Sequence, residues 1–223
     1  MAYDIILWGA TGHAKVLREQ IDALGHRIVA IFDNNPQVTP PFPDVPLYHG
    51  EDGFQRWKVE YPGSATHAVV SIAGARGRDR VTIQRRLQQE EGLEPLTLVH
   101  PRAYVARGVT LGEGVHLVAG AHVCAECVLE DGVVVNTLAD IDHESTLREG
   151  VHVSAGAVVS GSVEIGAGTF VGVGALILPR LTVGADVVVG AGSVVTRDVP
   201  DGVVVFGSPA KVAGKVRDRG WTI

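Results

Sequence analysis

The chain has 223 residues, of which 46% are hydrophobic, with a formal net charge of −6 and a pI near 5.8. This acidic chain has no stripe of Lys and Arg to neutralise phosphates, and no apolar run approaches the roughly 20 residues that span a bilayer. The amino terminus enters a strand pattern without the basic region and cleavage site of a secretory signal, so we expect a cytoplasmic protein.

The first 98 residues predict strands that alternate with helices. An apolar run ends in GATGHAK, and Ala14, Leu17 and Ile21 follow it at helical spacing. Strands are predicted at 3–8, 27–32, 67–72 and 96–99, and a second helix at 78–91. Such alternation predicts a small, Rossmann-like parallel α/β sheet. The proline-rich segment 34–46 predicts an extended surface connection.

The Gly-rich turn suggests a ligand site. Gly9 and Gly12 follow the first strand, where a helix N-terminus offers free N–H groups to an anion. Asp33 ends the second strand, a position from which an acid can bind a ribose hydroxyl. Because the motif is GxxG and the domain is short, a nucleotide or nucleotide sugar is favoured over a dinucleotide, and a purely structural turn remains the alternative. His13 is either a helix cap or solvated residue, or a binding residue.

The rest of the chain repeats every six residues. Leu, Ile or Val occupies every sixth position from Val99 to Val195, and a small or β-branched residue stands four positions after most of them. This period fits a short strand followed by a sharp corner, with three such units in one coil. We predict a left-handed parallel β-helix with a C-terminal tail over residues 99–223, after the α/β domain at 1–98. Gly at the second and fourth places of many units predicts corners with unusual backbone angles.

The two cysteines form a CxxC pattern, which invites a redox or zinc interpretation. The repeat phase points Cys127 inward and Cys124 outward. We therefore predict one small core residue and one small surface residue.

The histidines of the repeat all point outward by phase. His143 occupies the third place of its unit, whereas His116, His122 and His152 occupy the sixth. Outward rings are either solvated or line a groove between subunits, and β-helix prisms commonly form trimers, so we expect a homotrimer. Gamma-class carbonic anhydrases bind zinc in such trimers, but with a histidine pair five residues apart. His116 and His122 are six apart, and we predict no metal.

The segment DIDHEST places His143 between Asp142 and Glu144. An imidazole accepts a proton near neutral pH, and an adjacent carboxylate orients the ring and raises its basicity. A general base and a polar corner without a role are both compatible with the local sequence.

Several motifs together carry a family resemblance. They are GATGHAKVL, IFDNN, VHPRAYV, the spacing of IDHE to HVSAGA, and SPAK. With them the chain resembles the family of sialic acid O-acetyltransferases and PglD-like nucleotide-sugar N-acetyltransferases. The resemblance implies acetyl-CoA as co-substrate, with His143 as base and Glu144 as its carboxylate.

The same resemblance assigns binding residues. His152, Val173 and Lys211 would contact acetyl-CoA, and the Gly161 N–H would stabilise the oxyanion. The residues that would hold the nucleotide are Gly12, His13, Asp33, Asn34 and Gly74. Asn136 would touch the sugar. Asn34 departs from the family pattern, since a relative carries a second acid there.

The implied reaction is direct acetyl transfer to the C4 amine of a nucleotide-linked 4-amino-4,6-dideoxy sugar, such as a UDP-linked sugar or GDP-perosamine. O-acetylation of a sugar hydroxyl and a non-catalytic nucleotide-sugar-binding scaffold are the alternatives. The choice between UDP and GDP stays open at this stage, as does the pathway: O-antigen, capsule or glycoprotein glycan.

Overall fold

The computed structural model describes residues 2–216, and its N-terminal part is a small α/β unit. Its elements are β1 (Asp4–Trp8), α1 (Gly12–Ala23), β2 (Arg27–Asp33), β3 (Leu47–His49), α2 (Gly50–Glu60), β4 (His67–Val70), α3 (Gly77–Glu91) and β5 (Glu94–Pro95). The five strands form a parallel sheet in the order β3-β2-β1-β4-β5. The predicted parallel α/β sheet is confirmed. None of the helices in the described chain is long and apolar enough to cross a bilayer.

Apolar side chains of β1 alternate between the two faces of this sheet. Ile5 and Leu7 pack in one buried cluster with α1, while Ile6 and Trp8 pack in another with α2. Alternation along a strand sends successive side chains to opposite faces, so both faces are covered by helices. The sheet is thereby held rigid between two apolar layers.

The predicted boundaries differ from the structure in two places. β3 and α2 were not predicted, because β3 has three residues and α2 buries only Gly53, Phe54 and Trp57. The predicted strand at 96–99 is wrong as a member of the α/β sheet. That sheet ends with Glu94–Pro95, and Leu98–Val99 pairs with the first full coil of the repeat. The sequence shows an apolar run but not the hydrogen-bonding partner of that run.

Residues 98–195 form a three-sided β-helix whose faces are three parallel sheets. The first face contains β6 (Leu98–Val99), β9 (His116–Leu117), β12 (Val134–Val135), β15 (His152–Val153), β18 (Phe170–Val171) and β21 (Val188–Val189). The second face contains β7 (Tyr104–Val105), β10 (His122–Val123), β13 (Asp140–Ile141), β16 (Val158–Val159), β19 (Leu176–Ile177) and β22 (Val194–Val195). The third contains β8 (Thr110–Leu111), β11 (Val128–Leu129), β14 (Thr146–Leu147), β17 (Glu164–Ile165) and β20 (Thr182–Val183).

A hairpin continues the first face beyond the last coil. β23 (Val203–Gly207) pairs parallel with β21 and antiparallel with β24 (Ala210–Lys215). Of the predicted C-terminal tail, positions 217–223 lie outside the described residues.

Apolar ladders fill the interior of the prism. Strands 18 residues apart pair in register, so that Leu117, Val135 and Val153 stack through successive coils. The first-place residues from Leu117 to Val195 are buried. Cys127 is buried and Cys124 half-buried, as the repeat phase predicted. The hexapeptide pattern therefore predicted the core correctly.

Gly serves two different purposes at the corners. Every fourth-place residue from Gly108 to Gly192 has a φ between +53° and +82°, the left-handed region that Gly tolerates best. The second-place glycines are not in that region. A Cβ on Gly112 would lie 2.7 Å from Asp131 N, and one on Gly166 would lie 2.4 Å from Ala185 N. The prediction of unusual backbone angles was thus correct for the fourth place and wrong for the second. At the second place, Gly is needed because the next coil approaches too closely for a side chain.

Arg80 of α3 joins the α/β unit to the β-helix. Its side chain is fully buried. Its guanidinium donates to Ile72 O (2.7 Å), Gly132 O (2.7 Å) and Gly150 O (2.9 Å), the first in the α/β unit and the other two in the β-helix. Burial lowers the pKa of Arg80 to about 10, so the group remains charged at neutral pH. Among the described residues no carboxylate forms an ion pair with Arg80. The three carbonyl oxygens stabilise its charge instead.

Candidate functional site

A cleft of about 510 Å³ opens at the carboxyl ends of β1, β2 and β4. The chain reverses direction across the sheet between β1 and β4, and a crevice forms where the connections diverge. Five residues predicted to bind the nucleotide line this one cleft: Gly12, His13, Asp33, Asn34 and Gly74. Sequence reasoning missed Ser71, Asn35 and Arg76, which also line it. Their signal was position, since each lies close to a predicted strand end.

The floor of the cleft is held by two tight contacts. Gly9 has a φ of 113°, and a Cβ there would lie 2.9 Å from Ser71 O, so only Gly fits. Asp33 accepts the Ala10 N–H (2.8 Å) on one carboxylate oxygen and the Asn35 N–H (2.9 Å) on the other. Asp33 therefore shapes the cleft with both oxygens, and its further lone pairs remain available to a ligand.

A buried group of three histidines lies between the cleft and the β-helix. The ring of His13 is 5.7 Å from that of His116 and 6.3 Å from that of His152, measured between centroids. The Gly74 N–H donates to His152 Nδ1 at 3.1 Å, which ties this ring to the wall of the cleft. His116 and His152 project outward from the prism as predicted, but they are neither solvated nor open to a groove between subunits. The α/β unit covers the first face and buries them.

Burial also determines the charge of this group. It lowers the pKa of His13 to about 4 and the pKa values of His116 and His152 well below the usual 6.5, with the charge of Arg80 adding to the effect. All three imidazoles are therefore neutral at neutral pH. Within the described chain, His13 Nε2 and His116 Nδ1 are buried without a hydrogen-bond partner.

His143 lies at the corner between the second and third faces. Its side chain is 55% exposed, and its Nδ1 is 2.9 Å from Glu144 Oε2. Its backbone N–H donates to Asp142 Oδ1 at 2.8 Å. When Nδ1 carries the hydrogen that bonds to Glu144, Nε2 presents a free lone pair to solvent. This is the arrangement of an imidazole oriented by a carboxylate to accept a proton.

Gly161 occupies the equivalent corner one coil further along. A Cβ on Gly161 would lie 2.6 Å from His143 Nε2, so the absence of a side chain leaves room for the imidazole. The Ser162 N–H donates to His143 O at 2.8 Å and sets the spacing of the two coils. Within residues 2–216 the Gly161 N–H has no hydrogen-bond partner. His143, Glu144 and Gly161 thus form one exposed cluster.

Within a single chain, the other predicted residues lie away from the His143, Glu144 and Gly161 cluster. Asn136 and Val173 are at the corner between the first and second faces, and Val173 is 58% exposed. Lys211 lies on β24, opposite Phe206. His152 is next to the cleft and not near His143, since it belongs to the first face.

The cleft and the His143 corner are on opposite sides of the prism. The α/β unit contacts the first face and the adjoining corner, through bonds such as Gln20 Nε2 to Leu117 O (3.0 Å) and Gln84 Nε2 to Glu113 O (3.0 Å). His143 is at the corner formed by the other two faces, which is the vertex opposite the first face. The cleft therefore lies on the first-face side of the prism, away from His143 of the same chain.

The family models match both parts of the chain. Residues 4–84 match the PglD N-terminal domain, and residues 162–197 match the bacterial transferase hexapeptide with six repeats. No curated protein was found to match the chain.

Solved structures match nearly the whole chain. PerB from Caulobacter crescentus in complex with CoA and GDP-perosamine is 34% identical, with 95% of this chain and 97% of that chain covered and a TM-score of 0.85. The acetyltransferase domain of PglB from Neisseria gonorrhoeae in complex with acetyl coenzyme A is 32% identical, with 95% and 100% covered and a TM-score of 0.82. WeeI from Acinetobacter baumannii, 24% identical with 95% and 100% covered and a TM-score of 0.70, shares the fold.

The fold and the matched models define the class as hexapeptide-repeat acyltransferases, whose members are enzymes. Within that class, the chain belongs to the PglD-like family of sugar acetyltransferases that includes PerB and the PglB acetyltransferase domain. The resemblance predicted from the sequence motifs is confirmed, as is the fold class.

Proposed function

We propose that this protein transfers the acetyl group of acetyl-CoA to the C4 amine of a nucleotide-linked 4-amino-4,6-dideoxy sugar. The observation that carries the proposal is the pairing of a nucleotide-sized cleft with an exposed His143, Glu144 and Gly161 cluster, in a chain 34% identical to a protein bound to CoA and GDP-perosamine. GDP-perosamine is accordingly the first acceptor to test. The cytoplasm supplies both substrates, so we place the reaction there.

The α/β unit and the β-helix have different roles in the proposed reaction. Gly12, His13, Asp33, Asn34 and Gly74 hold the nucleotide sugar in the α/β unit. The β-helix presents His143, which takes the proton from the attacking amine, while Glu144 keeps its Nδ1 protonated. The unpartnered Gly161 N–H donates to the oxygen of the tetrahedral intermediate. Val173, Lys211 and Asn136 keep the acetyl-CoA and sugar contacts that the resemblance assigns to them. The acetyl-CoA contact assigned to His152 does not fit a ring that the α/β unit buries and that accepts the Gly74 N–H, so we place His152 in the wall of the cleft.

A second copy of the chain completes this site. Because the cleft and His143 of one chain are on opposite sides of the prism, the sugar amine has to reach His143 of a neighbouring subunit. We propose a homotrimer in which each site combines the cleft of one subunit with the His143 corner of the next.

Mixing two inactive variants tests this arrangement. His143→Ala removes the base and leaves the cleft intact. Gly12→Val adds a side chain at the lining of the cleft, where its Cβ would meet nothing within 4 Å. Co-expressed chains should regain activity, since mixed trimers contain sites with an intact cleft and an intact base. Activity no higher than that of either variant alone would contradict a shared site.

Thiol release from acetyl-CoA tests the reaction itself. The purified protein should release CoA with GDP- or UDP-linked 4-amino sugars, and the product should carry an amide. Release with a free sugar hydroxyl and not with any amino sugar would favour O-acetylation. Binding of a nucleotide sugar without release from any member of the panel would favour a non-catalytic scaffold.

A further inference from the structure

The second face carries a group of polar side chains that the acetyl-transfer site does not use. Tyr104, His122 and Asp140 occupy the sixth place of successive coils, and strand pairing stacks them in register. Cys124 follows His122 by two residues on the same side of the strand. All of them are on regular strands or immediately beside them, so their backbone positions are fixed.

Three different donor atoms converge here. His122 Nδ1 is 2.7 Å from Asp140 Oδ1 and 3.7 Å from Cys124 Sγ, and the three atoms lie within 4.8 Å of one another. Within the described residues this is the one group of three or more His, Cys, Asp or Glu side chains close enough to hold a metal ion. Zinc bonds to nitrogen, sulfur and oxygen are about 2.0–2.3 Å long, so ligand atoms around one ion are about 3.5 Å apart. Small side-chain rotations bring the three atoms to that spacing.

The surroundings of the cluster favour a cation. Asp140 and Asp142 place two carboxylates beside the Cys124 thiol. Their negative charge attracts a divalent ion, which can displace the thiol proton and bind the sulfur. The ring of Tyr104 stacks on His122 with centroids 4.7 Å apart and holds the imidazole in place.

We propose that His122, Cys124 and Asp140 bind a zinc-like divalent cation, with the fourth position open to water. A set of one imidazole, one thiolate and one carboxylate matches zinc and not magnesium or calcium, which prefer oxygen alone. The CxxC spacing does not build this site, because Cys127 points into the core. The sequence patterns predicted no metal, and the proposed site departs from that prediction, although acetyl transfer itself needs no metal.

Cobalt is the probe for this proposal. Metal-stripped full-length protein should bind about one Co²⁺ per chain, with the intense near-ultraviolet absorption of a thiolate bound to Co²⁺. Zn²⁺ added afterwards should abolish the band by displacement. Asp140→Asn and His122→Asn should weaken cobalt binding.

The two cysteines provide a matched pair of variants. Cys124→Ser should lose the band. Cys127→Ser should keep it, because its hydroxyl can donate to Asp142 O as the thiol does at 3.1 Å. Thermal unfolding monitored by circular dichroism should show both variants folded. A wild-type protein without the band, or a band that persists in Cys124→Ser, would overturn the proposal.

Discussion

Gly161 lies against His143 from the neighbouring coil, so closely that a single methyl group at position 161 would come within 2.6 Å of Nε2. The glycine is not required for its backbone angle, since its φ is not in the left-handed region. Its function is to leave space beside the proposed base.

Gly161→Ala should therefore displace the imidazole without unfolding the protein. A shift of about 1 Å in a catalytic group can lower the rate about 100-fold, and we expect kcat to fall by that order. Steady-state CoA release and the melting temperature are the two measurements. Ala125→Gly, at the equivalent corner on the other side of His143, is the control and should leave kcat nearly unchanged. A Gly161→Ala protein with normal kcat would show that the space is not needed.

Removal of the base should have a larger effect on a hydroxyl acceptor than on an amine. General-base catalysis contributes about 10² to 10⁴ in rate, and a neutral amine attacks without strong activation. His143→Ala should lower kcat for an amino sugar and abolish any transfer to a hydroxyl. Equal losses with both acceptors would contradict this division.

Glu144 combines a useful carboxylate with an unfavourable backbone angle. Its φ of 58° costs a non-glycine residue about 1 kcal/mol. Glu144→Gly should raise the unfolding temperature while lowering kcat, whereas Glu144→Gln should lower kcat without the gain in stability. If Glu144→Gly is no more stable than wild type, the strain is not stored at this position.

Arg80 should be important for stability. Arg80→Met leaves the buried carbonyl oxygens of Gly132 and Gly150 without their donor, at about 1–3 kcal/mol each, and also removes the bond to the part-buried Ile72 O. We expect a lower midpoint of chemical denaturation and weaker nucleotide-sugar binding, because Ile72 lines the cleft. Arg85 is on the same helix as Arg80 and forms an exposed ion pair with Glu149 of the β-helix. Arg85→Met removes this pair and should change stability little. Equal effects of the two substitutions would argue against a special role for Arg80.

The buried histidines should make the protein sensitive to acid. Their folded-state pKa values are below the ordinary 6.5, so the unfolded chain binds more protons as the pH falls below 6.5, for His13 down to about pH 4. The stability gained by keeping these histidines neutral is complete above pH 6.5. It is lost as the pH falls below that value. Within the range where it titrates only in the unfolded chain, each histidine lowers the free energy of unfolding by about 1.4 kcal/mol for each pH unit of acidification.

A leucine at position 116 isolates this contribution. His116→Leu should be close to neutral at pH 7, because the buried Nδ1 has no partner to lose, and more stable than wild type at pH 5. His100→Asn, which keeps an acceptor for the Arg102 N–H, should follow the wild-type pH profile. Denaturant midpoints from pH 4.5 to 7.5 provide the comparison.

The sequence alone determined the prism, its core and the direction of each repeat side chain. Its period of six is a local property, since each inward residue repeats the requirement of the one before it. The positions of His143, Gly161 and Cys127 in the coil followed from counting. The family motifs also identified five of the residues that line the cleft, because parallel strands bring their carboxyl ends together.

Only the tertiary structure decided what covers each outward side chain. His116, His122 and His152 have the same phase, yet the α/β unit buries His116 and His152 and leaves His122 exposed beside Cys124 and Asp140. Strand partnership likewise assigned Leu98–Val99 to the β-helix. Both outcomes depend on contacts between residues distant in sequence, and no periodic pattern records which surface a separate domain will occupy.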